Sequence, residues 1–183
     1  MIQITSRMIA ISALLMGVSQ LSLSAESLCG RNETTFFSCT TKGGRIVSLC
    51  GDGFILEHSD FEANDDSWLQ YRFGLPGAIE LSYPSRRKNS LDKFQGDWGS
   101  ALQGSVSWRS IAFVSSGIGY KVEYLVPESQ KSFEGVRIGD PKKLDIQFAG
   151  TRKASYPQAT IPCVGKAHDE KFDGLVRLMG SLR

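Results

Sequence analysis

The stretch WLQYRFGLPGAIELSY, residues 68–83, alternates its side chains by chemistry on both sides of a Gly-Leu-Pro-Gly break. In an extended chain Leu69, Tyr71 and Phe73 fall on one face, with Gln70 and Arg72 on the other. Ile79, Leu81 and Tyr83 alternate in the same way with Glu80 and Ser82. A period of two joined by so short a link demands antiparallel strands with one face on a core. The pattern recurs. YKVEYLV (120–126) sets Tyr120, Val122, Tyr124 and Val126 against Lys121 and Glu123, and LDIQF (144–148) repeats it with Leu144, Ile146 and Phe148. Turn signals at Gly43-Gly44, Gly117–Gly119 and Asp140-Pro141 separate the runs.

About eight strands are expected, at 34–41, 45–50, 68–73, 78–83, 106–114, 119–126, 132–138 and 143–148. The chain closes with DEKFDGLVRLMGSL, where Phe172, Leu175, Val176 and Met179 share one helical face. The expected fold class is therefore all-β: an antiparallel barrel or sandwich with a C-terminal helix, stapled by disulfides.

Residues 1–25 have a different character. One positive charge, Arg7, precedes the apolar run MIAISALLMGVSQL, and SLSA stands before Glu26. A small-x-Ala ending after about a dozen apolar residues is the pattern of a cleaved secretory signal. The run is shorter than the ~20 apolar residues of a membrane-spanning helix. ESL before Cys29 lacks the small residues of a lipoprotein signal. The expectation is a signal peptide at 1–25 and one β domain at 26–183, exported to the periplasm without a membrane anchor. Removing 25 of the 183 residues leaves 158, enough for one well-formed core. Arg7 is the only charge lost, so 20 basic residues face 19 acidic ones. That balance gives no electrostatic footprint for nucleic acid. A monomer is expected.

Cys29, Cys39, Cys50 and Cys163 all lie in the mature part, and an even count in an exported chain reads as two disulfides. Spacings of ten, eleven and more than a hundred residues fit neither a Cys-x-x-Cys redox centre nor the close ligand pairs of a zinc site. Four cysteines allow three pairings. The hairpin around Gly43-Gly44 favours Cys39–Cys50, which leaves Cys29–Cys163 to tie the two ends of the domain.

Motifs for chemistry are sparse. No Gly-x-Ser-x-Gly elbow, His-Glu-x-x-His pair or phosphate-binding glycine loop occurs. The only histidines are His58, within the strand-like FILEH, and His168. Asp60, Glu62, Asp65 and Asp66 lack the central glycine and distal glutamate of a calcium loop and read as a solvated loop. Arg86, Arg87 and Lys88 read as an exposed basic loop. Neither a metal nor a cofactor is expected, and the pattern points away from an enzyme.

Two resemblances add to this reading. The run C…ETTFFSCTTKGGRIVSLC…WLQYRFGLPGAIELSYP resembles a widespread, uncharacterised family of bacterial exported proteins, through Cys29, Cys39, Cys50, Tyr71, Arg72, Gly74, Tyr83, Pro84 and Cys163. The likeness spans 29–84 and implies export and one disulfide-stapled β domain, with no reaction attached. SSGIGYK (115–121) is similar to the recognition loop of periplasmic inhibitors of c-type lysozyme, small eight-stranded barrels whose loop carries Ser-Gly and then Tyr. The later Trp-x-Lys-Gly feature of those inhibitors is absent here. That similarity implies a non-enzymatic periplasmic binding protein, an inhibitor of or immunity factor against a lysozyme-like cell-wall hydrolase. Ser115, Ser116 and Lys121 would then touch the partner, with Tyr120 holding the loop from behind. The competing expectation is a small-ligand-binding barrel or a small periplasmic hydrolase using an interior pocket.

Overall fold

The computed structural model describes residues 27–57, 60–101, 106–127, 133–142, 144 and 158–182. Eleven strands and one helix appear among them. They are β1 (Thr34–Thr40), β2 (Ile46–Asp52), β3 (Ile55–Glu57), β4 (Asp60–Glu62), β5 (Trp68–Leu75), β6 (Ala78–Tyr83), β7 (Gln95–Ala101), β8 (Val106–Ser115), β9 (Ile118–Pro127), β10 (Phe133–Gly139), β11 (Ala159–Pro162) and α1 (Phe172–Ser181). A single 3₁₀ turn, Leu91–Lys93, leads into β7.

The strands form two antiparallel sheets, ordered β1-β2-β5-β6 and β11-β10-β9-β8-β7, with β3-β4 as a separate hairpin. They do not close into a barrel and are arranged like a sandwich. One seam joins them. Pro162 pairs with Gly135 of β10, and the chain then moves onto the free edge of β1, where the Val164 amide donates to the Thr40 carbonyl at 2.7 Å. Ser38 and His168 exchange two backbone bonds of 2.8 Å further along that edge. The edge of β1 is thereby covered, which removes a template for non-native pairing.

Between the sheets lies one core. Val47, Leu49, Leu69 and Tyr71 face Ile111, Phe113, Val122 and Val136, and Phe172, Leu175, Val176 and Met179 of α1 complete it. The shared helical face expected for those four residues is the buried one. The helix lies directly on β7. A Cβ at Gly96 would stand 2.1 Å from the Val176 carbonyl oxygen, so the sheet gives up a side chain to admit the helix backbone.

Seven of the expected strands form, with ends displaced by one or two residues, and 143–148 lies outside the described residues apart from Leu144, a turn residue. Three features depart from the sequence reading. Part of the expected acidic loop is strand β4, with Phe61 buried against Phe36 and Phe54. β7 forms from QGDWGSA, which shows no apolar alternation because two of its positions are glycines under other groups. β11 is a four-residue edge strand.

The disulfides also differ from the expected pairing. They join Cys29 to Cys50 and Cys39 to Cys163, with Cα atoms 5.3 and 5.6 Å apart. The reason lies in the register. Cys39 stands opposite Val47, while Cys50 stands opposite Thr35 beyond a bulge at Phe36. Three residues separate Cys50 from Val47, an odd offset that turns it to the other face of the sheet. Cys39 and Cys50 are thus displaced along the hairpin and point to opposite sides, which no disulfide bridges. Cys50 meets instead the 27–33 segment, which folds across the outer face with the Leu28 amide bonded to Ser48 Oγ at 3.0 Å.

Candidate functional site

The β8–β9 hairpin ends in a two-residue turn, Ser116-Gly117, with Ser115 opposite Ile118. Both turn residues have positive φ, 51° and 76°, the backbone of a type I′ turn that matches the twist of the strands. A serine in that region is strained relative to glycine or asparagine. Ser116, Gly117 and Ile118 are exposed, Ile118 to 43%. Immediately behind them the hairpin is held by stacked rings. Tyr120 lies on Phe113 at 4.9 Å with planes 5° apart, and Phe113 lies on Tyr83 at 4.7 Å with planes 13° apart. Tyr71 closes against Phe113 at 5.0 Å. Burial pushes the Tyr71 phenol far above its usual range, with Tyr120 adding to the effect, and burial likewise raises Tyr83. The Tyr71 and Tyr83 phenols behind the tip are therefore neutral at physiological pH.

Ser115 and Ser116 are adjacent at the tip. Lys121 pairs with Ala112 and Arg137, three residues back from Ile118, or roughly 10 Å along the strand. By alternation it faces the opposite side of the sheet from Tyr120, whereas Ser115 lies on the Tyr120 side. The tip thus gathers the two serines, with Lys121 on its flank.

A second polar assembly sits on the outer face of the first sheet. Arg72 and Glu33, with side chains 8% and 10% exposed, make a two-pronged ion pair at 2.6 and 3.0 Å. Arg72 also donates to the Leu28 carbonyl and to Gln70 Oε1. Glu33 further accepts from the Gly30 amide at 2.7 Å and from Arg87, whose guanidinium lies 4.1 Å from the Trp68 ring centre. Burial alone raises the Glu33 carboxyl, but the Arg72 and Gly30 hydrogen bonds and the two arginine charges outweigh it and hold the group below its usual 4.5. Every polar group here has a partner, so the assembly clamps the N-terminal segment to the sheet. Cys29 and Cys50 approach Glu33 closely, but both sulfurs are in a disulfide and offer no thiolate to a metal.

A third place, marked by no motif in the sequence, lies between α1 and the β7–β8 ladder. Trp98 and Arg109 are direct cross-strand partners. Arg109 Nε meets Asp173 of α1 at 2.6 Å, and Trp98 remains 50% exposed. A Cβ at Gly180 would lie 2.2 Å from Trp98 Cζ3, so the indole is seated on the backbone of the last helical turn. With Arg177 these residues line a groove of about 100 Å³. Its only sequence signal is a glycine inside an amphipathic helix. A larger open pocket, about 470 Å³, lies between Ser27–Cys29 and the Pro76-Gly77 turn, and no titratable side chain among the described residues lines it.

The fold and these surfaces define a two-sheet, disulfide-stapled antiparallel β protein with a helix on one side. No family model, curated protein or solved structure matches this chain.

Proposed function

We propose that this is an exported, non-enzymatic binding protein that engages another protein through the tip of β8–β9. Its partner on this reading is a glycan-cleaving hydrolase of the lysozyme class, met in the periplasm. Two disulfides and the apolar leader support an oxidising, exported setting. The observation that carries the proposal is an exposed tip backed directly by the Tyr83–Phe113–Tyr120 stack. A preorganised protrusion loses little freedom on binding. The strained φ of Ser116 supports the same reading, since strain persists where function requires it. Such hydrolases flank the scissile bond with two carboxyl groups. The Ser115 and Ser116 hydroxyls would donate to them, and the Lys121 ammonium would approach from the flank.

The test is inhibition of c-type lysozyme, and of periplasmic cell-wall hydrolases, by the purified protein with both disulfides formed. The expected result is stoichiometric inhibition that Ser116→Ala with Lys121→Ala abolishes. Absence of inhibition and of any captured hydrolase would remove the proposal. The second reading, a small-ligand-binding protein or small hydrolase, is favoured only by the open pocket at 27–29 and 76–79. Its mark is retention of a small molecule by the purified protein.

A further inference from the structure

We infer that the groove between α1 and the β7–β8 ladder is a glycan-binding subsite that selects a sugar bearing a carboxylate. It does not depend on the tip. Trp98 pairs with Arg109, six residues before Ser115 on β8, which sets the groove roughly 20 Å from the turn.

An indole with half its surface in water contributes little to the core for its size, yet the helix keeps a glycine beneath it. Glycine inside a helix costs about 1 kcal/mol relative to alanine. Among the described residues the Trp98 indole N–H has no acceptor, whereas the Trp108 indole donates to Asp97 at 3.0 Å. An exposed flat ring, fixed from below and with a free donor on its edge, suits the apolar C–H face of a pyranose. That face is weakly positive and complements the negative face of the indole.

The charges beside the ring define the rest of the ligand. Asp173 meets Arg109 at Nε, and the two terminal nitrogens of Arg109 have no hydrogen-bond partner among the described residues. Arg177, exposed and one helical turn from Asp173, pairs with no acid among them. With Arg109 balanced by Asp173, Arg177 leaves the lining with one surplus positive charge. Arginine presents its donors as a planar fork that fits a carboxylate. A volume of about 100 Å³ suits one residue of a glycan passing over the surface better than an enclosed ligand. A sugar offers both features at once, an apolar face for Trp98 and an anionic edge for Arg177 and Arg109.

The experiment titrates the protein with peptidoglycan glycan strands freed of stem peptides, whose lactyl groups carry free carboxylates, and with the same strands after carboxyl reduction. Tryptophan emission is the readout. The proposal expects a saturable change with the first and about tenfold weaker binding of the second, the loss of one charge-assisted contact. Arg177→Ala, at an exposed position without a partner, should bring both to the weaker affinity. Trp98→Ala, titrated by calorimetry because the reporter ring is removed, should show no binding while circular dichroism shows the strands retained. Absence of saturation, equal binding of the reduced strands, or wild-type affinity in Arg177→Ala would each overturn it. So would displacement of the glycan by acetyl-dialanine at matching concentration, which would make the groove a site for peptide carboxylates.

Discussion

Arg72 and Gln70 alternate with apolar neighbours as solvent-facing residues should, yet both are buried. The 27–33 segment crosses the outer face and covers them, so the outward side of β5 became an interior for polar groups. A buried pair is costly to break singly, because the remaining charge stays desolvated. Glu33→Gln should therefore lower stability by about 3 kcal/mol in denaturant unfolding near neutral pH. The pH dependence follows from the depressed carboxyl. A group held below its unfolded value contributes stability fully above that value and loses it as pH falls through the native one. The gap between wild type and Glu33→Gln should thus be largest above about pH 4.5 and close on acidification, as thermal melts across pH would show. Gly180 makes a second test at this scale. Alanine favours a helix by about 1 kcal/mol, but here its methyl would displace Trp98. Gly180→Ala should be net destabilising, with a shifted tryptophan emission.

At the scale of elements, the β8–β9 hairpin separates two jobs along one chain. Tyr120 and Phe113 belong to the core stack, while Ser116 is exposed in the turn and Lys121 alternates to the other side of the sheet. Tyr120→Ala should cost about 2 kcal/mol, less than the loss of a fully buried ring because Tyr120 is half-buried. The Ser116→Ala, Lys121→Ala pair should leave the melting temperature within a degree or two, since neither side chain fills the core. A double mutant that still inhibits the same hydrolase as wild type does would reduce the tip to a plain turn. β7 shows the converse, an element set by its neighbour. Its glycines read as breaks in sequence, yet Gly96 is where the helix backbone comes closest.

For the whole molecule, the two disulfides differ in reach. Cys29–Cys50 spans 21 residues and Cys39–Cys163 spans 124. In the chain-entropy model the longer loop stabilises by about 5 kcal/mol and the shorter by about 3. Replacing Cys39 and Cys163 with serine should accordingly lower stability more than replacing Cys29 and Cys50, measured by denaturant titration. Peptide mapping without reduction should return those two pairs and no Cys39–Cys50 fragment. Strand makes up 56% of the described residues and helix 10%, so the far-ultraviolet spectrum should be dominated by β structure.

The fold class and seven of the strands were legible in the alternation, because it is a local property that each segment carries alone. The periodicity also placed Tyr120 inward and the buried face of α1, since period and burial follow from the same geometry. Other features depend on how distant segments pack together. The bulge at Phe36 and the hairpin register sent Cys50 to the outer face and so chose its partner; nothing in the spacing of four cysteines encodes that. The edge strand β11, the covered Arg72 and the groove at Trp98 arise where distant segments meet. Gly96, Gly99 and Gly180 look like loop or breaker residues until the group resting on each one is in place. Contacts of that kind belong to pairs of segments, and no window along one segment contains them.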